Sequence, residues 1–145
     1  MVIDEFRGDY EFLSNMFECP VKYGNMMFKS SEAAYQSAKF IDPEFKKKFA
    51  RLTGYEAKRL AQQHKSEIRS DWYVINLDVM YEVDHDKFWR NGSLRNKLLA
   101  TGNKELIEGN NWKDKFWGVY KGKGENNLGK IHMRVRTEFK NKLHK

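Results

Sequence analysis

The sequence predicts an α+β fold that is mainly helical, with a small β-hairpin, in a single domain spanning residues 1–145. Three observations lead to this prediction. Apolar residues recur at helical spacing in several segments, and a Gly-Asn pair separates two short β-prone runs. The chain is also long enough to bury one core without a disulfide, which its single cysteine, Cys19, could not form internally.

The N-terminal segment from Tyr10 to Phe28 is predicted to be extended. Within it, residues 21–23 and 26–28 are short runs of β-prone side chains on either side of Gly24-Asn25. Because this pair suits a two-residue turn, the segment predicts a hairpin.

The stretch from Lys29 to Phe40 predicts a helix, since serines at its start suit an N-cap and alanines follow them. Glu32, Gln36 and Lys39 recur at i, i+4 and i+7, which places an acid, an amide and an amine on one face. Such a polar stripe is either a solvated surface or the floor of a functional site.

Further helices are predicted from hydrophobic periodicity and from start and stop signals. Pro43 ends the preceding helix and suits the first turn of the next, whose three consecutive lysines, residues 46–48, should face water. Gly102 ends a short helix, and an aromatic run at 116–120 predicts a short strand. The predicted helices cover residues 44–52, 55–63, 71–88, 94–100 and 126–143.

The formal net charge is +7, and the C-terminal part of the chain is the most basic. Residues 104–145 carry 11 basic and 5 acidic side chains. A basic surface favours phosphate-bearing partners, so a non-catalytic nucleic-acid-binding module is one hypothesis and a solvated helix face is another. Without a membrane-length apolar run, and with Asp4 and Glu5 where a signal peptide would be basic, we expect a cytoplasmic protein with no membrane partner.

Several common chemistries find no support in the sequence. Neither a Walker-type loop nor a dinucleotide-binding glycine fingerprint is present. The Asp84-His85-Asp86 cluster lacks further ligands at a recognisable spacing, so we expect neither a metal nor a cofactor.

The chain resembles the NADAR family, to which the YbiA-like N-glycosidases belong. The resemblance spans about residues 8–137 and consists of several blocks in the family's order. They are residues 12–17 (FLSNMF), Ser31-Glu32, Tyr35-Gln36, Lys39-Phe40, Trp72, 98–101 (LLAT), 116–118 (FWG), 124–129 (GENNLG), Met133 and Arg136.

The resemblance implies hydrolysis of an N-glycosidic bond in an ADP-ribosyl or phosphoribosyl substrate. Removal of ADP-ribose from guanine in nucleic acid, with ADP-ribosylated DNA as a partner, or action on related NAD-derived compounds, is the first interpretation. Phosphorylated riboflavin-pathway intermediates are an alternative substrate class. A non-catalytic module that binds ADP-ribose or nucleic acid is a third possibility.

By position, Glu32, Trp72 and Asp114 match the acid, the aromatic and the second acid of the family's pocket, and Lys39 matches a lysine that could act covalently. The chain departs from the family pattern at Ala33, where histidine is common. It also inserts one residue between 108 and 117, and has Glu125 in a run that phosphate recognition would keep neutral or basic.

The chemistry of these side chains is consistent with that activity. Cleavage of a ribose C–N bond develops positive charge on the sugar, which the carboxylate of Glu32 would stabilise, or Glu32 would activate a water molecule. Lys39 would instead attack C1 as a neutral amine if a dry pocket lowers its pKa. A protonated Asp114 would supply a proton to the departing base. The sequence leaves the two routes open.

The remaining candidates would bind substrate. Trp72 or Trp117 would stack on a base, and Lys121 and Lys123 beside glycine amides would hold phosphate. The full set of predicted binding residues is Arg7, Ser14, Asn15, Gln36, Trp72, Trp117, Gly118, Lys121, Lys123 and Asn127.

Each assignment has a structural alternative. Glu32 could be a first-turn acid favoured by the helix dipole, and Lys39 a surface lysine. The tryptophans could be core residues, and Ser14 and Asn15 could cap a turn.

Overall fold

The computed structural model describes residues 1–143 and groups them into two compact units. One unit comprises Met1–Ser14 and the chain from Gly92 onward, and the other comprises Asn15–Asn91. In chain order the strands are β1 (Val2–Ile3), β2 (Val21–Tyr23), β3 (Met26–Phe28) and β4 (Glu105–Leu106). The α-helices are α1 (Ser31–Ser37), α2 (Pro43–Phe49), α3 (Gly54–Gln63), α4 (Trp72–Arg90), α5 (Gly92–Ala100) and α6 (Asn127–Leu143), with 3-10 turns at Gly8–Leu13 and Lys65–Glu67.

This mixture of many helices with short strands confirms the predicted α+β class. The hairpin is confirmed as well: β2 and β3 are antiparallel, with Tyr23 opposite Met26 across the Gly24-Asn25 turn. Gly24 has a φ of 60°, a value that glycine adopts without the strain a side chain would add.

Within the unit formed by Asn15–Asn91, α1 is the central element. It packs against α2, α3, α4 and the hairpin. Every residue of α1 from Ser31 to Ser37 is buried, although four of the seven are polar. The interpretation of this polar stripe as a solvated surface is therefore wrong, and its polar groups need partners inside the protein.

In the other unit, β1 and β4 form a parallel pair that the sequence analysis did not predict. Each strand has only two residues, too few for a periodic pattern to be recognised. Helix α6 packs against β4 and α5. The predicted apolar stripe of α6 is confirmed, because Leu128, Ile131, Val135 and Phe139 are all buried.

Two predicted elements differ from the structure. Tyr10 does not begin an extended segment, since it lies in the 3-10 helix, where its amide donates to the carbonyl of Arg7 at 3.0 Å. Residues 116–120 form no strand and make only isolated bridges, at Val119 and Tyr120. This run follows a tight turn built by Asp114, which prevents continuous strand pairing.

The observed ends of two helices also differ from the predicted ends. Helix α1 stops at Ser37 rather than Phe40, because the amides of Lys39 and Phe40 bond three residues back and tighten the last turn. Helix α2 ends at Phe49, and Lys46 is half-buried rather than exposed like Lys47 and Lys48. Among residues 1–143, no helix combines the length and apolar character needed to cross a bilayer.

Candidate active site

Glu32 lies in the first turn of α1 with only 8% of its surface exposed. Its Oε2 accepts a hydrogen bond from Gln36 Nε2 at 2.6 Å, and its backbone amide donates to the carbonyl of Asn15 at 3.0 Å. Ser30 caps the helix by accepting from the amide of Ala33 at 3.1 Å. The carboxylate is therefore held by one side chain and by a fixed backbone, at the positive end of a helix.

Helix α3 approaches Glu32 at Gly54, its first residue. A Cβ on Gly54 would lie 3.0 Å from Glu32 Cβ and 2.6 Å from Met16 Sδ, so any larger residue would require both side chains to shift. Thr53 and Glu56 form a capping box that fixes the start of α3. The first turn of a second helix thus also lies against the catalytic candidate.

Lys39 follows the end of α1 and is half-buried. Its Nζ lies 5.8 Å from the ring centre of Tyr35 and 5.9 Å from that of Trp72. Burial lowers its pKa from 10.5, the negative charge of Glu32 opposes that change, and Lys58 reinforces it. The predicted proximity of Glu32 and Lys39 is thus present, although Lys39 lies beyond the helix.

Tyr35 and Trp72 form the aromatic side of this cluster, with ring centres 5.0 Å apart and planes at 60°. Burial raises the pKa of the Tyr35 hydroxyl, the charge of Glu32 raises it further, and hydrogen bonds with Asn76 and Trp72 oppose both. Tyr35 and Asn76 were not among the predicted site residues. Their spacing was a usable signal, because Tyr35 is three residues after Glu32 and Asn76 is four after Trp72.

Gln36 is buried, with 4% of its surface exposed, and the two polar atoms of its side-chain amide differ in their hydrogen bonding. Its nitrogen donates to Glu32, whereas Oε1 has no hydrogen-bond partner among the residues that the structure describes. A buried acceptor without a donor is costly, so this oxygen is a point where a ligand hydroxyl or amine would be favourable.

Asn15 and Ser14 follow the 3-10 helix. Asn15 is buried and its polar atoms face the interior: Oδ1 accepts from Ser31 at 2.9 Å, and Nδ2 contacts Met80 Sδ at 3.1 Å. Asn15 therefore supports the backbone at Glu32, with its binding role remaining a prediction. The amide of Ser14 bonds to the carbonyl of Glu11 at 2.9 Å, as expected of a residue that closes a turn.

Asp114 lies in the other unit, in the loop between β4 and α6. Its Oδ1 accepts the amides of Phe116 and Trp117 at 3.0 and 2.9 Å. The side chain of Asn110 binds the backbone of Asp114 on both sides. Its Oδ1 accepts from the Asp114 amide at 3.0 Å, and its Nδ2 donates to the Asp114 carbonyl at 2.8 Å. The geometry gives Asp114 a clear structural task, and its predicted role as an acid rests on the resemblance alone.

The neighbours of Asp114 form one compact loop. The rings of Phe116 and Trp117 are 4.8 Å apart and nearly perpendicular. Gly118 is buried so tightly that a Cβ would collide with Glu108. Asn127 Nδ2 donates to the carbonyl of Phe116 at 2.9 Å, which joins the loop to the start of α6.

Lys121 and Lys123 are exposed on a hairpin turn of the same loop. Lys121 and Gly122 have φ values of 50° and 77°, and the turn is closed by reciprocal bonds of 2.8 and 3.0 Å between Tyr120 and Lys123. This left-handed pair is the geometry of a two-residue turn. Arg7 is also exposed, at the start of the 3-10 helix.

No group of three or more side chains suited to hold a metal ion occurs among the described residues. An open groove of about 650 Å³ lies on the face formed by β2 and α4. None of the predicted site residues lines it, so this groove is distinct from the Glu32–Lys39 cluster. Its lining residues are Lys22, Tyr23, Gly24, Tyr81, Glu82, His85, Asp86 and Trp89.

Similarity to known proteins extends over nearly the whole chain. The family model described as NADAR domain matches residues 4–140. A solved NMR structure of the Escherichia coli protein YbiA superposes with a TM-score of 0.88 at 27% identity, covering 100% of this chain and 87% of that one.

Curated relatives carry two kinds of name. "N-glycosidase YbiA" from Escherichia coli is 30% identical over 90% of this chain and 82% of its own length. "N-glycosidase Npun_R5314" from Nostoc punctiforme is 32% identical over 92% and 88%. "Riboflavin biosynthesis protein VVA0006" from Vibrio vulnificus is 39% identical over 94% of this chain, but the match spans only 36% of that longer relative.

Proposed function

The chain belongs to the NADAR family, and on that basis we propose that it is a hydrolase of N-glycosyl bonds whose catalytic carboxylate is Glu32. One observation carries the proposal: a buried acid, an amide, a lysine of lowered pKa and two aromatic rings share one cluster. The names of the N-glycosidase relatives support the same bond type.

The position of Glu32 supports a charge-stabilising role. Gln36 Nε2 donates to its carboxylate, and the first turns of α1 and α3 both lie against it. Donors and helix N-termini favour the ionised carboxylate, which in turn favours positive charge on the sugar as the C–N bond lengthens. Water then adds to C1, and the departing base takes up a proton.

Lys39 supplies a second route. As a neutral amine it would attack C1 and displace the base, which takes up the proton that the amine loses. The bond from C1 to the ring oxygen would then break, with transfer of the second amine proton to that oxygen, to give a Schiff base of the opened sugar. Water would hydrolyse this Schiff base, releasing the sugar and regenerating Lys39. Burial against Tyr35 and Trp72 supports this role, because a desolvated ammonium loses its proton more easily.

Within this activity, the substrate class that we propose is an ADP-ribosyl or phosphoribosyl compound. The acceptor of Gln36 that lacks a partner suits a sugar hydroxyl, and the net charge of +7 suits phosphates. ADP-ribosylated guanine in nucleic acid or a related NAD-derived compound is our first proposal. The riboflavin name of the Vibrio vulnificus relative favours phosphorylated intermediates of riboflavin synthesis as the second.

The test is chromatography of reactions with ADP-ribosylated guanine in DNA, NAD, ADP-ribose and the phosphorylated pyrimidine intermediates. Release of the free base from at least one of them is the expected result, and the substrate cleaved identifies the class. A protein that binds these compounds but releases no base from any would be a binding module instead.

A further inference from the structure

The turn that opens helix α4 uses a capping residue for an ion pair. Asp71 occupies the N-cap position, yet its side chain makes no capping bond to α4. Its carboxylate instead accepts from the Arg69 guanidinium, Oδ1 from Nε at 2.6 Å and Oδ2 from Nη2 at 3.1 Å. Because a capping bond and a partly exposed ion pair stabilise a protein by similar small amounts, helix stability alone does not account for this arrangement.

The ion pair fixes a residue whose backbone connects the start of α4 to the residue that follows α1. The amide of Arg69 donates to the carbonyl of Lys39 at 2.8 Å, and the carbonyl of Arg69 accepts from the amide of Trp72 at 3.2 Å. Carbonyls at the C-terminal end of a helix lack partners within the helix, so the Arg69 amide satisfies a group that would otherwise need water. Arg69 thus bonds through its backbone to both Lys39 and Trp72.

The amine of Lys39 lies beside aromatic rings from both of these helices. Its Nζ is 5.8 Å from the ring centre of Tyr35, on α1, and 5.9 Å from that of Trp72, on α4. The two ring centres are 5.0 Å apart. The surroundings of the amine therefore depend on how the end of α1 is placed against the start of α4, which is where Arg69 makes its backbone bonds.

The backbone of Lys39 is fixed on both sides of its side chain. Its amide donates to the carbonyl of Gln36 at 3.2 Å, and its carbonyl accepts from Arg69. The first bond is local to the last turn of α1, whereas the second comes from a segment far along the chain. Loss of the second bond would leave Lys39 attached to α1 but free to move away from Trp72.

We propose that Arg69 is a positioning residue whose backbone amide, kept in place by the ion pair with Asp71, holds Lys39 against the rings of Tyr35 and Trp72. This inference rests on the proposed function, and it assigns Arg69 no contact with substrate. Because small displacements of a reacting group cost large factors in rate, loss of the amide bond should lower kcat while leaving KM nearly unchanged.

The kinetic test compares R69P with R69A, because only the alanine variant keeps an amide hydrogen at position 69. Ile68 already has the extended backbone, with φ −64° and ψ 136°, that a residue before proline adopts. On the substrate that wild type cleaves, R69P should lower kcat by at least about 10-fold with KM within about twofold, and R69A should lower kcat less. R90A is the matched control and should behave as wild type, since Arg90 makes the same two-bond contact with Asp86, at 3.0 and 3.0 Å, near the other end of α4.

Titration of Lys39 separates positioning from a merely structural role and needs no substrate. Burial, the largest cause, and the charge of Lys58 lower the pKa of Lys39 from 10.5, and the charge of Glu32 opposes them. An amine released into water should therefore titrate closer to 10.5. Competitive acetylation of the lysines across a range of pH, followed by mass spectrometry, gives the midpoint for Lys39. This midpoint should rise in R69P, rise less in R69A and keep its wild-type value in R90A.

A wild-type midpoint for Lys39 in R69P would overturn the inference, and so would an equal rise in R90A. If R69P does not fold, as a thermal melt would show, R69A decides, because it removes the ion pair and keeps the amide; an unchanged midpoint in R69A would then overturn the inference. Absence of base release by wild type on every substrate would instead refute the proposed function, while the titration would still show whether Arg69 holds Lys39 in place.

Discussion

At the scale of single residues, the cluster around Glu32 is defined by how completely its polar groups are removed from water. Glu32 and Gln36 are 8% and 4% exposed and share a 2.6 Å hydrogen bond. Lys39 adds a cation whose pKa burial has lowered. In such surroundings each interaction is stronger than in water, and each substitution has a large effect.

Replacement of Glu32 by glutamine should remove activity without unfolding the protein. The amide keeps the size of the side chain but not the negative charge that opposes the sugar cation, so kcat should fall by at least about 100-fold. The measurement is base release by chromatography beside a thermal melt. E44Q, at an exposed position of α2, is the matched control; substantial turnover by E32Q would refute the assignment.

The covalent route through Lys39 predicts a specific pH dependence. Only the neutral amine attacks, and its pKa lies below 10.5, so activity should rise with pH and level off before pH 10.5. Borohydride added during turnover should trap a sugar adduct on Lys39, detectable by mass spectrometry. K39R should give no adduct and K65R should leave trapping unchanged; a K39R variant with full activity would favour direct attack by water.

At the scale of elements, α1 and α3 jointly place the carboxylate. Gly54 allows the first turn of α3 to touch Glu32, and the Thr53–Glu56 capping box fixes that turn. The reciprocal bonds are 2.9 and 3.2 Å long. The stability of α3 and the geometry of the site are therefore linked.

Two substitutions in this turn should have separable effects. T53A removes a cap and should lower the free energy of unfolding by about 0.5–2 kcal/mol, measured by urea unfolding. G54A adds a methyl group against Met16 and Glu32, so it should lower kcat more than T53A does. A57G in the interior of α3 controls for loss of helix stability alone; wild-type kcat in G54A would show that this contact is unimportant.

The sequence predicted these elements unevenly, for physical reasons. The helices of residues 55–63 and 126–143 were close to their observed bounds, because caps and an apolar stripe are local signals. The pairing of β1 with β4 joins residues about a hundred positions apart, so no local pattern revealed it. The aromatic run at 116–120 has strand propensity, but the tight turn at Asp114 overrode it.

At the scale of the whole molecule, net charge is the informative property. The net charge of +7 favours association with anionic substrates, and this attraction weakens as salt screens it. The basic side chains are most concentrated in residues 104–145, which include the exposed turn lysines Lys121 and Lys123.

Neutralising the two lysines of this turn should weaken substrate binding without slowing the chemical step. If Lys121 and Lys123 contact substrate phosphates, K121Q/K123Q should raise KM by about tenfold, with kcat nearly unchanged, and the effect should shrink at high salt. Steady-state kinetics at two ionic strengths provide the measurement. K47Q/K48Q removes the same charge from α2 and should leave KM unchanged; equal effects of both pairs would indicate only general attraction.

The sequence by itself determined the fold class, the family and the helix that carries Glu32 and Gln36, because caps, periodicity and ordered motifs are encoded locally along the chain. Only the tertiary structure decided that this helix is buried on all sides and that Trp72 and Asn76 of α4 meet its Tyr35. Burial and electrostatic coupling depend on which distant segments pack together, and a one-dimensional pattern does not specify those contacts.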